Sequence, residues 1–240
     1  AGIAIGMSML PEEFPVVLTI FLAMGAWRIG QAGVLTRRAA AIETLGSATI
    51  LCTDKTGTLT ENRMAVAQVW LPSGEMLQLD PATPARSEVV AVLEAALLAS
   101  AADPVDPMEI AIDAAAAALP PQRRAEIDSW TLAHAYGLQP DLLAMSNVWQ
   151  RGDADYLITA KGAPEAIASL CALEDKALAD MSAAVEQLAN DGIRVLGVAT
   201  ATTNDTTWPA TQTAFHYAFV GLIGLADPLR PSARGAVAGS

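Results

Sequence analysis

Residues 1–27 are apolar almost without interruption, with Glu12 and Glu13 as their only charges. At about 1.5 Å per residue, a helix of that length crosses the ~30 Å hydrocarbon core of a bilayer. The pattern predicts a transmembrane helix over 1–29; a buried core helix kinked at proline is the other reading. Arg28, Arg37 and Arg38 follow closely, a basic flank that puts everything after about residue 30 in the cytoplasm, beneath a plasma or inner membrane. The run is broken at Pro11-Glu12-Glu13-Phe14-Pro15. Each proline removes a backbone donor and leaves a carbonyl unpaired, at Met7 and at Pro11. A carboxylate at the bilayer centre costs about 2.5–3.5 kcal/mol unless it meets a cavity, a proton or a cation. Carboxylate and freed carbonyl oxygens together make the ligand set of a hard cation.

Beyond the helix the period changes. A short helix is predicted over 39–45, ended by Gly46, and the β-branched run 48–52 reads as a buried parallel strand. From residue 64 the pattern is mixed: hairpin strands 65–71 and 76–79, helices 87–101 and 107–119, then strands 145–150 and 155–160 joined by Arg151-Gly152-Asp153. Helices 164–171 and 174–190 and strands 193–199 and 219–225 complete it. Trp130 and Trp149 read as core residues, and His134 and His216 as surface or packing residues.

Composition narrows the function classes. The 240 residues predict one or two domains, and 52% hydrophobic against 17% charged residues excludes a disordered chain. Fourteen basic against 26 acidic residues give a net charge of −12, which argues against nucleic acid as a partner. Cys52 and Cys171 stand far apart with no CxxC or Cys/His cluster, so a reducing compartment is expected and a zinc site is not. The mean hydropathy of +0.35 reflects the apolar N-terminal run and an alanine-rich remainder.

The expected strand 48–52 runs into Asp54-Lys55-Thr56-Gly57-Thr58-Leu59-Thr60. A carboxylate at the carboxyl end of a strand lies where α/β sheets bind ligands, and Gly57 lets backbone amides close on an anion. Asp54 is placed as a nucleophile toward a phosphoryl group, Lys55 supplies positive charge, and the Thr56 and Thr58 hydroxyls can hold phosphoryl oxygens. This DKTGTLT string resembles the phosphorylation signature of P-type ATPases, membrane pumps that pass through an aspartyl-phosphate. The wider hydrolase superfamily often carries a second Asp two positions after the nucleophile. Thr56 stands there instead, which suits a long-lived phosphoenzyme.

The resemblance extends along the chain. Pro11-Glu12-Glu13-Phe14-Pro15 is similar to the PEGLP element of calcium-type pumps, so Glu12 matches the cation-ligating glutamate, while Glu13 replaces the usual glycine. A hard cation such as Ca²⁺ is implied, and the absence of Cys beside this proline argues against copper-type cargo. Lys161-Gly162-Ala163-Pro164-Glu165 resembles KGAPE, whose lysine lines the adenine pocket. From the residues alone, Lys161 ends a strand before a helix, at a mouth open to an anion. Asp106-Pro107-Met108-Glu109 is similar to DPTE, making Glu109 a contact to the base; a first-turn carboxylate serving the helix dipole is the equal alternative. Gly192-Ile193-Arg194-Val195-Leu196 resembles GxRxL, which gives Arg194 a phosphate-facing role and Leu196 an apolar contact to the base; a solvated arginine after a helix C-cap is the alternative. Tyr136 stands near where such pumps place an adenine-stacking aromatic. Asp227-Pro228-Leu229-Arg230 resembles the DPPR hinge, implying that Asp227 and Arg230 line the ATP cleft.

The resemblance therefore implies a transmembrane helix (1–29), a first segment of an incomplete Rossmann-like, HAD-type phosphorylation domain (30–63), an inserted α+β nucleotide-binding domain (64–217), and a return hinge with the start of a second phosphorylation segment (218–240). It implies ATP and Mg²⁺ as cofactors, with Asp54 and Thr56 as Mg²⁺ ligands and Glu12 as ligand to the transported cation. Its implied partners are a lipid bilayer and further pump segments: an actuator domain, other membrane helices and the rest of the phosphorylation domain. TGE, TGD and GDGxND do not occur in the 240 residues, so turnover by them alone is not expected. A nucleotide-binding module without phosphoryl transfer of its own is the alternative.

Overall fold

A computed structural model describes residues 13–31, 33–34, 47–50, 52–79 and 86–238. The chain divides into two compact units, Ala1–Thr53 and Asp54–Ser240.

The first unit contains helix α1, Glu13–Gln31. Phe14, Leu18, Phe21, Met24 and Trp27 are each more than half exposed, and the helix is long and apolar enough to cross a membrane. An exposed surface that is apolar on all sides suits lipid better than water. Pro15 lies inside this helix as described from Glu13 onward, and the start of the segment expected to interrupt the apolar run lies outside the described residues. Pro15 sits in the first turn, where its missing N–H has no partner to lose. The Thr19 hydroxyl donates back to the Pro15 carbonyl at 2.7 Å. Pro11, Glu12 and the expected helix 39–45 lie outside the described residues. The strand expected over 48–52 is not formed at 48–50 or 52, and Ile50 is 81% exposed. A β-branched run becomes a strand only where a neighbour completes its hydrogen-bond ladder, and none of the described strands pairs with it.

The second unit is built on a seven-stranded sheet whose order is β2-β1-β7-β6-β5-β4-β3. The strands are β1 (Ala65–Trp70), β2 (Met76–Gln78), β3 (Thr131–Tyr136), β4 (Ala144–Gly152), β5 (Asp155–Gly162), β6 (Arg194–Thr203) and β7 (Ala218–Ala226). Every pairing is antiparallel. The α+β expectation for the inserted region is met, whereas a parallel Rossmann-like layer is not seen among the described residues. Strand β7, expected in the return segment, lies between β1 and β6 and carries the sheet to Ala226.

Alternation along the strands makes two apolar faces. On one, Val69, Val198, Ile223 and Leu225 pack with helices α2 (Ser87–Leu98) and α3 (Pro107–Ala115) through Val92, Leu93 and Ile112. Helix α4 (Pro121–Asp128) adds Ile127 to the same cluster. On the other, helix α5 (Pro164–Leu170) inserts Ile167 against Val148, Ile158 and Ala199. Met181 and Ala184 of helix α6 (Asp175–Asn190) pack on Leu222. Each fully buried Leu, Ile or Val contributes about 1.5–3 kcal/mol, so these layers supply the main driving force. A short helix α7, Ala233–Ala238, follows the sheet.

Two elements have no apolar period to announce them. Helix α4 reads Pro-Gln-Arg-Arg-Ala-Glu-Ile-Asp. It is held from outside, because Arg123 forks onto Glu94 of α2 at 2.6 and 2.8 Å and lies 5.1 Å over the Trp130 ring. Strand β3 is an edge strand with mostly exposed residues. The segment between β6 and β7 is pinned by a buried polar cluster. Ser146 donates to Gln212 at 2.5 Å, and Gln212 donates to the Ala144 carbonyl at 2.9 Å.

Candidate functional site

Lys161 is the next-to-last residue of β5 and pairs directly with Val198 of β6. Directly opposed side chains share a face, so Lys161, Val198, Leu196 and Arg194 rise on the side covered by α2 and α3. Helix α3 starts with Pro107 at its first position, and the Asp106 carboxylate accepts from the Met108 and Glu109 amides at 2.8 and 3.4 Å. That cap fixes the first turn and aims Glu109 at the sheet.

The consequence is an ion pair under cover. Lys161 Nζ donates to Glu109 Oε1 at 2.5 Å, with side-chain exposures of 6% and 13%, and to Ser100 Oγ at 2.7 Å. Lys161 does not stand at an open mouth as its strand-end position suggested, because the first turn of α3 closes over it. Burial lowers its ammonium below the ordinary lysine value; the hydrogen bond and charge of Glu109, and then the charge of Asp106, push in the other direction.

Along the first turn of α3 lies a cleft of about 410 Å³ whose lining includes Lys55, Thr56, Asp106, Met108, Arg194 and Asp227. Arg194 is exposed and its guanidinium approaches Met108 Sδ at 3.8 Å. Gly192, with φ +72, turns the chain after α6, and a Cβ there would sit 3.9 Å from Lys55 Nζ. Two cations and a threonine hydroxyl thus border one open space together with two carboxylates, Asp106 and Asp227. Oxygens of those carboxylates are engaged by the Met108 amide and by Thr60 and Arg63, so the two cations are the charges offered to an anion with several oxygens.

The loop that carries Lys55 and Thr56 is held by the segment 227–230. Gly57 takes φ +78, a left-handed conformation that glycine adopts at little cost. Thr60 is fully buried; its hydroxyl accepts from the Gly57 amide at 3.2 Å and donates to Asp227 Oδ2 at 2.5 Å. Asp227 Oδ1 accepts from the Arg63 amide at 3.1 Å. The Thr60 hydroxyl above all, with the Arg63 and Asn62 amides and the Lys55 charge, holds the Asp227 carboxyl below the usual range. Arg230 donates through Nε to the Thr60 carbonyl at 2.9 Å and through Nη2 to the Gly57 carbonyl at 3.1 Å. Asp227 lines the cleft with its carboxylate already engaged, and Arg230 braces the loop rather than bordering the cleft. Asp54 precedes the loop in extended conformation, φ −70 and ψ 146, and is exposed.

Arg230→Ala should free two loop carbonyls at once. Amide exchange over residues 57–60 is expected to quicken about tenfold or more, while amides in β5 and β6 keep their protection. Mass-resolved hydrogen exchange would check this, and unchanged exchange at 57–60 would show that Arg230 does not brace the loop.

The structure therefore gathers Lys55, Thr56, Arg194 and Asp227 at the cleft and sets Glu109, on the first turn of α3, against Lys161 as a covered pair. Leu196 is half-buried and packs on the core of that face. Tyr136 donates its hydroxyl to the Pro209 carbonyl at 2.8 Å and meets His134 and Phe215 edge-on, a packing arrangement. Trp149 and Trp130 pack against the α2-side core as expected. Glu12 lies outside the described residues. Asp106, Thr60 and Ser100 were not among the expected site residues. Asp106 had a legible signal in its Asp-Pro-x-Glu helix start; Ser100 had none.

A family model described as the P-type ATPase cytoplasmic domain N matches residues 106–232. The chain is 32% identical, over 99% of its length, to a probable cation-transporting ATPase F of Mycobacterium tuberculosis, of which it covers 30%. It is 26% identical over 98% of its length to a sodium/potassium exporting P-type ATPase of Schizosaccharomyces pombe, of which it covers 28%. With a probable cation-transporting ATPase I of Mycobacterium leprae the identity is 36% over 97% of the chain and 15% of that protein. The chain spans less than a third of the length of these relatives.

Proposed function

Because the chain belongs to the P-type ATPases and carries their cytoplasmic domain N, we propose that it binds ATP at the cleft along the first turn of α3 and serves ATP-driven cation transport through an aspartyl-phosphate on Asp54. One observation carries the reading: the first turn of α3, which brings Glu109 onto Lys161, also lines a cleft bordered by Arg194, Lys55 and Thr56, so that groups suited to a base and groups suited to phosphate lie on neighbouring residues. In this reading Lys161, Glu109 and Leu196 receive the base and Arg194 faces the phosphates. Asp227 and Arg230 act through the loop that they hold.

The chemical step is an in-line transfer. An Asp54 carboxylate oxygen forms a bond to the γ-phosphorus, the bond from that phosphorus to the bridging oxygen breaks, and ADP leaves with the electron pair. Lys55 and the Thr56 hydroxyl stabilise the charge on the phosphoryl oxygens. Asp54 and Thr56 are the hard oxygen donors offered to Mg²⁺. Few protein ligands suit that ion, since phosphate and water complete its shell, so the donor set fits. When bound, Mg²⁺ supplies neutralisation of phosphate charge.

Helix α1 is read as one membrane-crossing element of the intact pump, with Glu12 as ligand to a hard cation such as Ca²⁺ and the second unit on the cytoplasmic side. The remaining pump segments are its partners. In the intact pump, [γ-³²P]ATP should label the protein in an acid-stable, hydroxylamine-labile form, and Asp54→Asn should remove at least about 99% of the label. Labelling that survives Asp54→Asn would leave the chain a nucleotide-binding module with the nucleophile elsewhere.

A further inference from the structure

The C-terminal end of α2 would expose carbonyls without intrahelical partners, and the sheet satisfies them. Asn147 of β4 donates through Nδ2 to the Leu98 and Ser100 carbonyls at 2.9 and 3.1 Å, and Trp149 Nε1 donates to the Leu98 carbonyl at 2.7 Å. These bonds fix the backbone of Ser100, which is 4% exposed. Its hydroxyl has one proton, and that proton is committed to the Ala96 carbonyl at 2.8 Å. The Ser100 oxygen must therefore accept the bond from Lys161 Nζ at 2.7 Å. An ammonium has three N–H groups. Glu109 of α3 and Ser100, which follows α2, take two of them, and the direction of the third is then set by the other two.

We propose that Ser100 is a positioning residue for nucleotide binding: held by Asn147 and oriented by the Ala96 carbonyl, its hydroxyl aims the third N–H of Lys161 at the ligand. This rests on the nucleotide reading given above. As a neutral acceptor facing an ammonium, the Ser100 hydroxyl also favours the charged form of Lys161; burial lowers that lysine, and the hydrogen bond and charge of Glu109 and the charge of Asp106 oppose it. Without the acceptor, Lys161 gives up its proton at lower pH, so any loss of affinity should widen as pH rises.

The test is calorimetric titration of the 240-residue chain in detergent with Mg-ATP at about pH 7 and about pH 9. Ser100→Ala is expected to weaken ATP about three- to tenfold at the lower pH and by more at the higher, with Ser100→Thr returning affinity to within about twofold. Ser100→Cys, which keeps the volume but accepts poorly, should behave like Ser100→Ala and decides the matter if the alanine variant does not fold. Parent-like affinity for Ser100→Ala and Ser100→Cys at both pH values, with Lys161→Met weakened, overturns the proposal and leaves the site standing. So does an equal loss at both pH values that threonine does not rescue, which would be packing alone. Parent-like affinity in Lys161→Met instead overturns the nucleotide reading itself.

Discussion

Lys161→Met is expected to lower the unfolding free energy by about 3 kcal/mol and to weaken ATP binding at the same time. The stability loss comes from the partner left behind. Glu109 has a side-chain exposure of 13% and is aimed at Lys161 by the Asp106 cap. Methionine fills the space of the lysine stem but gives that carboxylate no counter-charge, and breaking a buried pair from one side costs about 3–5 kcal/mol. The partial exposure of Glu109 puts the expectation at the lower end. Adding Glu109→Leu should recover stability to within about 1 kcal/mol of the parent, because an apolar pair of similar volume leaves no charge unpaired. ATP binding should stay weak in the double variant. Urea unfolding and calorimetric titration on the same samples separate the two effects. A single variant as stable as the parent would mean that the pair is not under cover.

The second large effect belongs to Gly162→Ala, which should cost about 3 kcal/mol and lower the unfolding midpoint by about 10 °C. A Cβ on Gly162 would lie 2.3 Å from the Leu143 carbonyl oxygen and 2.6 Å from the Ala144 Cα. Both are backbone atoms of the adjoining chain, so no rotamer change relieves the overlap. The Ala163 amide also donates to the same Leu143 carbonyl at 2.9 Å, and parting the strands would break that bond. Gly197→Ala meets the Ile167 side chain at 2.9 Å, which can shift, so a smaller loss of about 1–2 kcal/mol is expected there. The glycine of the Lys161-Gly162-Ala163-Pro164-Glu165 element is thus required by the fold before any ligand arrives. A thermal midpoint unchanged in Gly162→Ala would mean that β4 does not approach Gly162 this closely.

The parts legible in the sequence are those fixed by local period. Strands β1, β2, β4, β5, β6 and β7 and helices α2, α3, α5 and α6 follow apolar alternation or a capped amphipathic run, and each forms within a few residues of its expected span. What was not legible depends on partners far away along the chain. Helix α4 is polar and exists through Arg123 and Glu94, 29 residues apart. Strand β3 is an exposed edge that only its ladder with β4 makes a strand. Residues 48–50 show the converse, a β-branched run with which none of the described strands pairs.

The site divides in the same way. The motifs drew attention to Lys55, Thr56, Glu109, Lys161 and Arg194, and the fold brings these near one another. Their working partners were not legible. The pairing of Lys161 with Glu109 crosses 52 positions, and the bracing of the loop by Arg230 crosses more than 170. The net charge of −12 says nothing about a local cleft that Lys55 and Arg194 both border.

Amide chemical-shift mapping of the isotope-labelled chain during titration with ATP shows where the nucleotide sits. Saturable shifts are expected only at residues 106–109, 161–163 and 192–196 and the loop 55–60, with helix α4 and the β1–β2 hairpin unmoved. Shifts that are absent, or that gather instead on the opposite face around α5 and α6, would contradict ATP binding at the cleft.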